Sequence, residues 1–123
     1  MTAINLFKHS SEVFDVEPGH VLFREGDTGD TMFVVIEGAV EVSHGDQLIE
    51  TIEPGGIIGE LALIDTAPRS ASAIASTPGR LVAVGKDEFT FLVQEHPTFA
   101  LLVMKVMAER LRRANDRVPR PIG

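Results

Sequence analysis

The 123-residue chain contains no cysteine, no tryptophan and no tyrosine. Without thiols it can hold no disulfide framework, thiolate zinc site, iron–sulfur cluster or cysteine nucleophile. Long apolar runs are missing as well. No stretch approaches the roughly 20 residues that a membrane span needs, and the start MTAINLFKHSSEVF lacks a basic segment followed by an apolar one. A cytoplasmic protein with no membrane segment is therefore expected. What remains, 44% hydrophobic and 24% charged residues, suits one globular domain over 1–123. A chain of this length buries roughly two-thirds of its unfolded surface without metal or disulfide support.

Basic residues are scarce in the body of the chain. Up to Met104 there are 5 basic and 16 acidic residues, a charge of −11; from Lys105 onward there are 6 and 2, or +4, which together give the net −7. Such an acidic body repels nucleic acid and bare phosphates at long range. Any anionic ligand must be held by a local cradle.

Turn residues divide the first part of the chain into short strands, the pattern of a sandwich or barrel. The expected strands are Glu12 to Val16, His20 to Arg24, Thr31 to Ile36, Ala39 to Ser43, Gln47 to Ile52, Ser70 to Ala75 and Arg80 to Val84. Met32 to Ile36 is apolar without alternation, which predicts a strand covered on both faces. The spacing favours a small antiparallel jelly roll over 1–85. After Gly85 the period becomes helical, with Lys86 to His96 followed by a longer helix opening at Pro97. The helices are placed at 86–116 and a tail at 117–123. Phe99, Leu102, Val103, Val106 and Met107 make one apolar line on the longer helix, and Leu101, Met104, Ala108 and Leu111 a second. The second line faces either the core or a partner, in the simplest case another copy of the chain.

The chemistry is concentrated at 55–71, GGIIGELALIDTAPRSA. Ten carboxylates and one basic side chain, Arg69, lie from Glu25 to Gly79. Pro68 fixes the chain entering Arg69, and Ser70 and Ala71 are too small to screen the backbone amides. Upstream, Glu60 to Leu63 can form one helical turn with free N–H groups at its start. Free amides together with a forked guanidinium make an anion site. Glu60 would repel a bare phosphate, and it makes sense only if the ligand also donates a hydroxyl, as a ribose does.

Gly59 to Ala71, GELALIDTAPRSA, together with the hairpin FREGDTGDTMFVVIEG from Phe23 to Gly38, resembles the cyclic nucleotide-binding domain family and its phosphate-binding cassette. The likeness extends over nearly the whole chain. It implies a mainly β fold, an antiparallel β-roll or jelly roll of the double-stranded β-helix type followed by two helices. It also implies binding without turnover of a cyclic AMP or cyclic GMP ligand, no metal, and a regulatory role. By position, Arg69 would pair with the cyclic phosphate and Glu60 would accept from the ribose 2′-hydroxyl. Ala62 and Ser70 amides and the Ser70 hydroxyl would complete the cradle, and Gly59 would admit close backbone approach; Leu61 and Ala71 complete the expected site. Where many relatives have an aromatic before the Gly-Glu pair, this chain has Ile58, and an aromatic cover for the base would have to be a Phe. Otherwise Val103, Met107, Arg110 or Asn115 of the last helix would cover it. Gly26, Gly29 and Gly38 are expected at turns with positive φ. Serine at 70 does not separate cyclic AMP, the expected ligand, from cyclic GMP.

Two other classes compete. A cupin-type metal enzyme would need clustered histidines, but His9, His20, His44 and His96 are dispersed with no HxH spacing. A degenerate interaction module that has lost its ligand would not need Glu60 and Arg69. Nucleic acid is not an expected partner: the chain stops at Gly123, where an activator's helix-turn-helix would start, and Arg110, Arg112, Arg113, Arg117 and Arg120 read as a solvated helix face.

Overall fold

A computed structural model describes residues 13–65 and 67–117. Among these residues there are eight strands: β1 (Val13–Val16), β2 (Val21–Phe23), β3 (Thr31–Glu37), β4 (Val40–His44), β5 (Gln47–Ile52), β6 (Ile57–Ile58), β7 (Ser72–Ala75) and β8 (Gly79–Gly85). A 3-10 turn, Glu60–Leu63, separates β6 from β7, and two helices follow, α1 (Lys86–Glu95) and α2 (Pro97–Arg117). The strands form two antiparallel sheets, in the orders β1-β8-β3-β6 and β2-β7-β4-β5. This is the expected β-roll with C-terminal helices. The expected strand start at Glu12 and the tail beyond Arg117 lie outside the described residues.

β3 explains how the layers stack. Its even positions Met32, Val34 and Ile36 join Val82 and Val84 of β8 in one core, which Leu92, Phe99 and Val103 of the helices close. Val35, pointing the other way, joins Leu81, Val40, Ile52 and Ala73 in a second core between the sheets. The period-2 alternation of a strand feeds both cores at once. The two-residue strand β6 divides likewise, with Ile57 toward the helices and Ile58 toward the roll interior.

The helices are set by local chemistry. α1 carries Asp87 and Glu88 in its first turn, where carboxylates complement the helix dipole. It stops because Pro97 disfavours helical geometry in the residue before it, and His96 leaves the helix with φ −135°. On α2, Phe99 and Val103 are buried and Leu102, Val106 and Met107 pack beside them. The second line is not part of a wide core stripe: Leu101, Met104 and Leu111 are about 60% exposed (64%, 59% and 63%). No helix among the described residues is long and apolar enough to cross a membrane.

Candidate functional site

The site is built where β6 runs out. Gly59 turns the chain with φ 75°, a left-handed conformation that disfavours any side chain, and Glu60 begins the 3-10 turn. This turn sends the Glu60 carboxylate inward. At 4% exposure it is the only charged residue among the buried described residues. The Ala62 amide, expected to be free for an anion, donates to Gly59 O at 3.2 Å, so a ligand would have to compete with a long internal bond.

Arg69 is fixed from its backbone outward. Its N–H donates to Asp27 O and its carbonyl accepts from Gly26 N–H, both at 2.8 Å, which ties the cassette to the loop after β2. Its guanidinium lies over the Phe23 ring, 4.1 Å from the centroid. Nη1 donates to Gly59 O at 3.2 Å and Nη2 to Thr31 O at 2.7 Å. Two of five N–H groups are thereby used. Nε is the one buried side-chain nitrogen or oxygen among the described residues without a hydrogen-bond partner. Burial lowers the Arg69 pKa, more than the nearby Asp30, Asp27 and Glu60 raise it, yet an arginine remains cationic at neutral pH.

Glycine makes room for this side chain on two sides. A Cβ at Gly59 would sit 2.5 Å from Arg69 Nη1, and one at Gly29 would sit 2.8 Å from Nη2. Gly26 and Gly38 have the expected positive φ, 85° each, but Gly29 does not; it is small because the guanidinium lies against it. The two positions should therefore respond differently. Gly59→Ala is expected to cost about 1 to 2 kcal/mol for the left-handed backbone and to displace Arg69, whereas Gly29→Ala displaces Arg69 without that penalty. Urea denaturation of both variants measures the difference.

Arg110 reaches down from α2 onto Glu60. Nη1 donates to Glu60 Oε1 at 2.6 Å, Nη2 to Ile57 O at 2.7 Å and Nε to Glu50 Oε1 at 3.2 Å. Arg113 Nη1 meets the same Glu50 oxygen at 3.3 Å. Burial opposes the Arg110 charge, but Glu60 and Glu50 outweigh it and raise its pKa. Arg110 therefore does not belong to the expected solvated face, whereas Arg113 stays exposed and turns its Nη1 to Glu50. Among the described residues no donor reaches Glu60 Oε2.

These groups line a cavity of about 370 Å³. Gly59, Glu60, Leu61, Ala62, Arg69, Ser70, Ala71 and Arg110 all border it. Asn115 does not: it is exposed, and its neighbour Ala114 takes the position on the wall. Val103 and Met107 are likewise no cover, since both pack in the helix-side core. The phenylalanine at the cavity is Phe23, which lies beneath Arg69 rather than over a base. Sequence reasoning missed Glu50, Arg113 and Val42, which carry no motif. Among the described residues no group of three or more His, Asp or Glu is placed to hold a metal ion.

A buried carboxylate and a braced guanidinium stand together at the floor of a roll, under a long helix, in a cavity of the size small-molecule sites have. The chain belongs to the cyclic nucleotide-binding domain family, whose model matches residues 13–96. It is 29% identical over 122 residues to the CRP-like cAMP-activated global transcriptional regulator of Mycobacterium tuberculosis, covering 95% of this chain and 54% of that protein. Over 99 residues it is 47% identical to the acetyltransferase Pat of Mycolicibacterium smegmatis, covering 77% of this chain and 29% of the other. The Thermus thermophilus catabolite activator protein superposes with a TM-score of 0.75 at 29% identity, over 84% of this chain and 51% of that one. The chain thus spans about half the length, or less, of these relatives.

Proposed function

We propose that the chain binds cyclic AMP in this cavity without turning it over and acts as a cytoplasmic sensor module. Arg69 takes the cyclic phosphate through Nε and its remaining N–H groups, Glu60 Oε2 accepts from the ribose 2′-hydroxyl, and α2 serves as the lid. The observation that carries this reading is the complementary pair on one wall: Arg110 holds one oxygen of Glu60 and no described donor takes the other, while two carbonyls take two of the five Arg69 N–H groups and leave Nε–H and two more without a described partner. Arg110 therefore need not leave for a ribose to bind. Cyclic AMP is preferred over cyclic GMP because the M. tuberculosis relative carries cAMP activation in its name. The exposed line Leu101, Met104 and Leu111 is the surface for a second copy, because a two-fold pair uses the same patch on both partners. Met104→Glu should abolish the dimer in sedimentation analysis.

Calorimetry with cyclic AMP and cyclic 2′-deoxy-AMP tests the site. Glu60→Gln is expected to weaken cyclic AMP by about 1 to 3 kcal/mol and to leave the deoxy ligand much less affected. A ligand at a hundred times its Kd adds about 2.7 kcal/mol of stability, enough to raise the Tm by several degrees. The competing reading, an interaction module without ligand, draws on the internal partners that Arg69 and Glu60 already have. Absence of a Tm shift with any cyclic nucleotide would favour it.

A further inference from the structure

Glu50 sits where a β-roll calls for an apolar side chain. In the β4–β5 ladder Val40 pairs with Ile52 and Val42 with Glu50. Directly opposed residues share a face, so Glu50 takes the inward position of buried Val40 and Ile52. The register then shifts, pairing Ser43 with Leu48 and leaving Ile49 as the extra residue. Such a bulge re-aims side chains: Leu48 is turned outward at 52% exposure, while Ile49 and Glu50 border the cavity. An inward carboxylate is costly unless paired. Here Oε1 receives both Arg110 and Arg113, and among the described residues no donor occupies Oε2.

Arg110 thus spans two carboxylates, Glu60 through Nη1 and Glu50 through Nε. A ribose on Glu60 would lead its base along the guanidinium toward Glu50 and Arg113. That pair presents an acceptor beside a donor, the complement of the adenine edge, which offers its N6 amine beside the N1 acceptor. Guanine offers the reverse order, O6 beside N1–H, and would set O6 against the carboxylate. We infer that Glu50 and Arg113 read the base of the ligand, Glu50 Oε2 accepting from the adenine amine and an Arg113 N–H donating to N1. The inference rests on the cyclic nucleotide reading above. It assigns specificity to residues outside the phosphate cassette, and Arg113 lies beyond the span matched to the family.

The test is calorimetric titration of cyclic AMP, cyclic GMP and the 3′,5′-cyclic monophosphate of unsubstituted purine riboside. The parent protein should bind cyclic AMP about 10-fold more tightly than either other ligand, the order expected of one two-point edge contact. Glu50→Val should bring the cyclic AMP and unsubstituted-purine affinities within about 3-fold of each other. Glu50→Gln, which keeps the shape and can turn its amide toward O6, should narrow the gap to cyclic GMP and stands in if the valine variant does not fold. Equal affinity of the parent for cyclic AMP and the unsubstituted purine would overturn the inference and leave the cyclic nucleotide reading intact. An equal loss for all three ligands in Glu50→Val would also overturn it, making Glu50 only an anchor for α2. If the parent bound none of the three, the reading beneath would fail.

Discussion

An Arg69→Ala variant is expected to bind cyclic AMP more weakly by roughly 2 to 5 kcal/mol, about 30- to 5,000-fold. The size follows from what the guanidinium does. It is the only cation supplied by the cassette, and the carboxylates that surround it, Asp27, Asp30 and Glu60, would otherwise present a negative wall to the phosphate. Its removal also takes the guanidinium donors from Gly59 O, which keeps the Ala62 amide, and from Thr31 O, and it deprives Phe23 of its cation. Some loss of stability in the free protein should accompany the loss of binding. Arg69→Lys separates the two contributions: an ammonium restores the charge but not the planar fork that reaches both carbonyls and the phosphate together. Its affinity should fall between parent and alanine variant. Equal binding by parent and Arg69→Ala in calorimetry would mean that the anion sits elsewhere.

Arg110→Met should cost the free protein about 3 to 5 kcal/mol, because it leaves the Glu60 carboxylate buried without its hydrogen-bonded cation. The same pair, removed whole, should cost far less. An Arg110→Met/Glu60→Gln double variant is expected to recover most of the loss, since a neutral amide tolerates burial better than an orphaned anion. Urea midpoints for the four proteins form a double-mutant cycle, and strictly additive losses would show that Arg110 and Glu60 do not act as a unit.

Much of this architecture is legible in the sequence because it is local. The period of two in Val40 to Ser43, the unbroken run Met32 to Ile36 and the helical spacing after Gly85 each identify their element without tertiary information. β6 escaped because two residues carry no period, and Ile57-Ile58 between glycines reads as loop. The cassette residues were readable because one short segment brings Gly59, Glu60, Arg69 and Ser70 together. The sequence leaves Arg110 between a cover for the base and a solvated face, since its partners Glu60 and Glu50 are 50 and 60 residues away. Glu50 was invisible for a different reason: a register shift at Ile49 decides which side it faces, and alternation alone assumes no shift. Gly29 was misread for a similar reason. Its smallness serves a side chain 40 positions later, not its own backbone angle.

The strand β3, with one face in each core, also constrains how such a domain can diverge. Val34 must fit whatever Phe99 and Val103 become, and Val35 must fit Leu81 and Val40, yet the two valines are neighbours in the chain whose side chains belong to different cores. Among descendants of this sequence, volume exchanges should pair Val34 with the helices and Val35 with the roll. Adjacent positions would then drift as two separate lineages of compensation along a single backbone. The seat of α2 can be reshaped in this way while the floor of the pocket stays as it is.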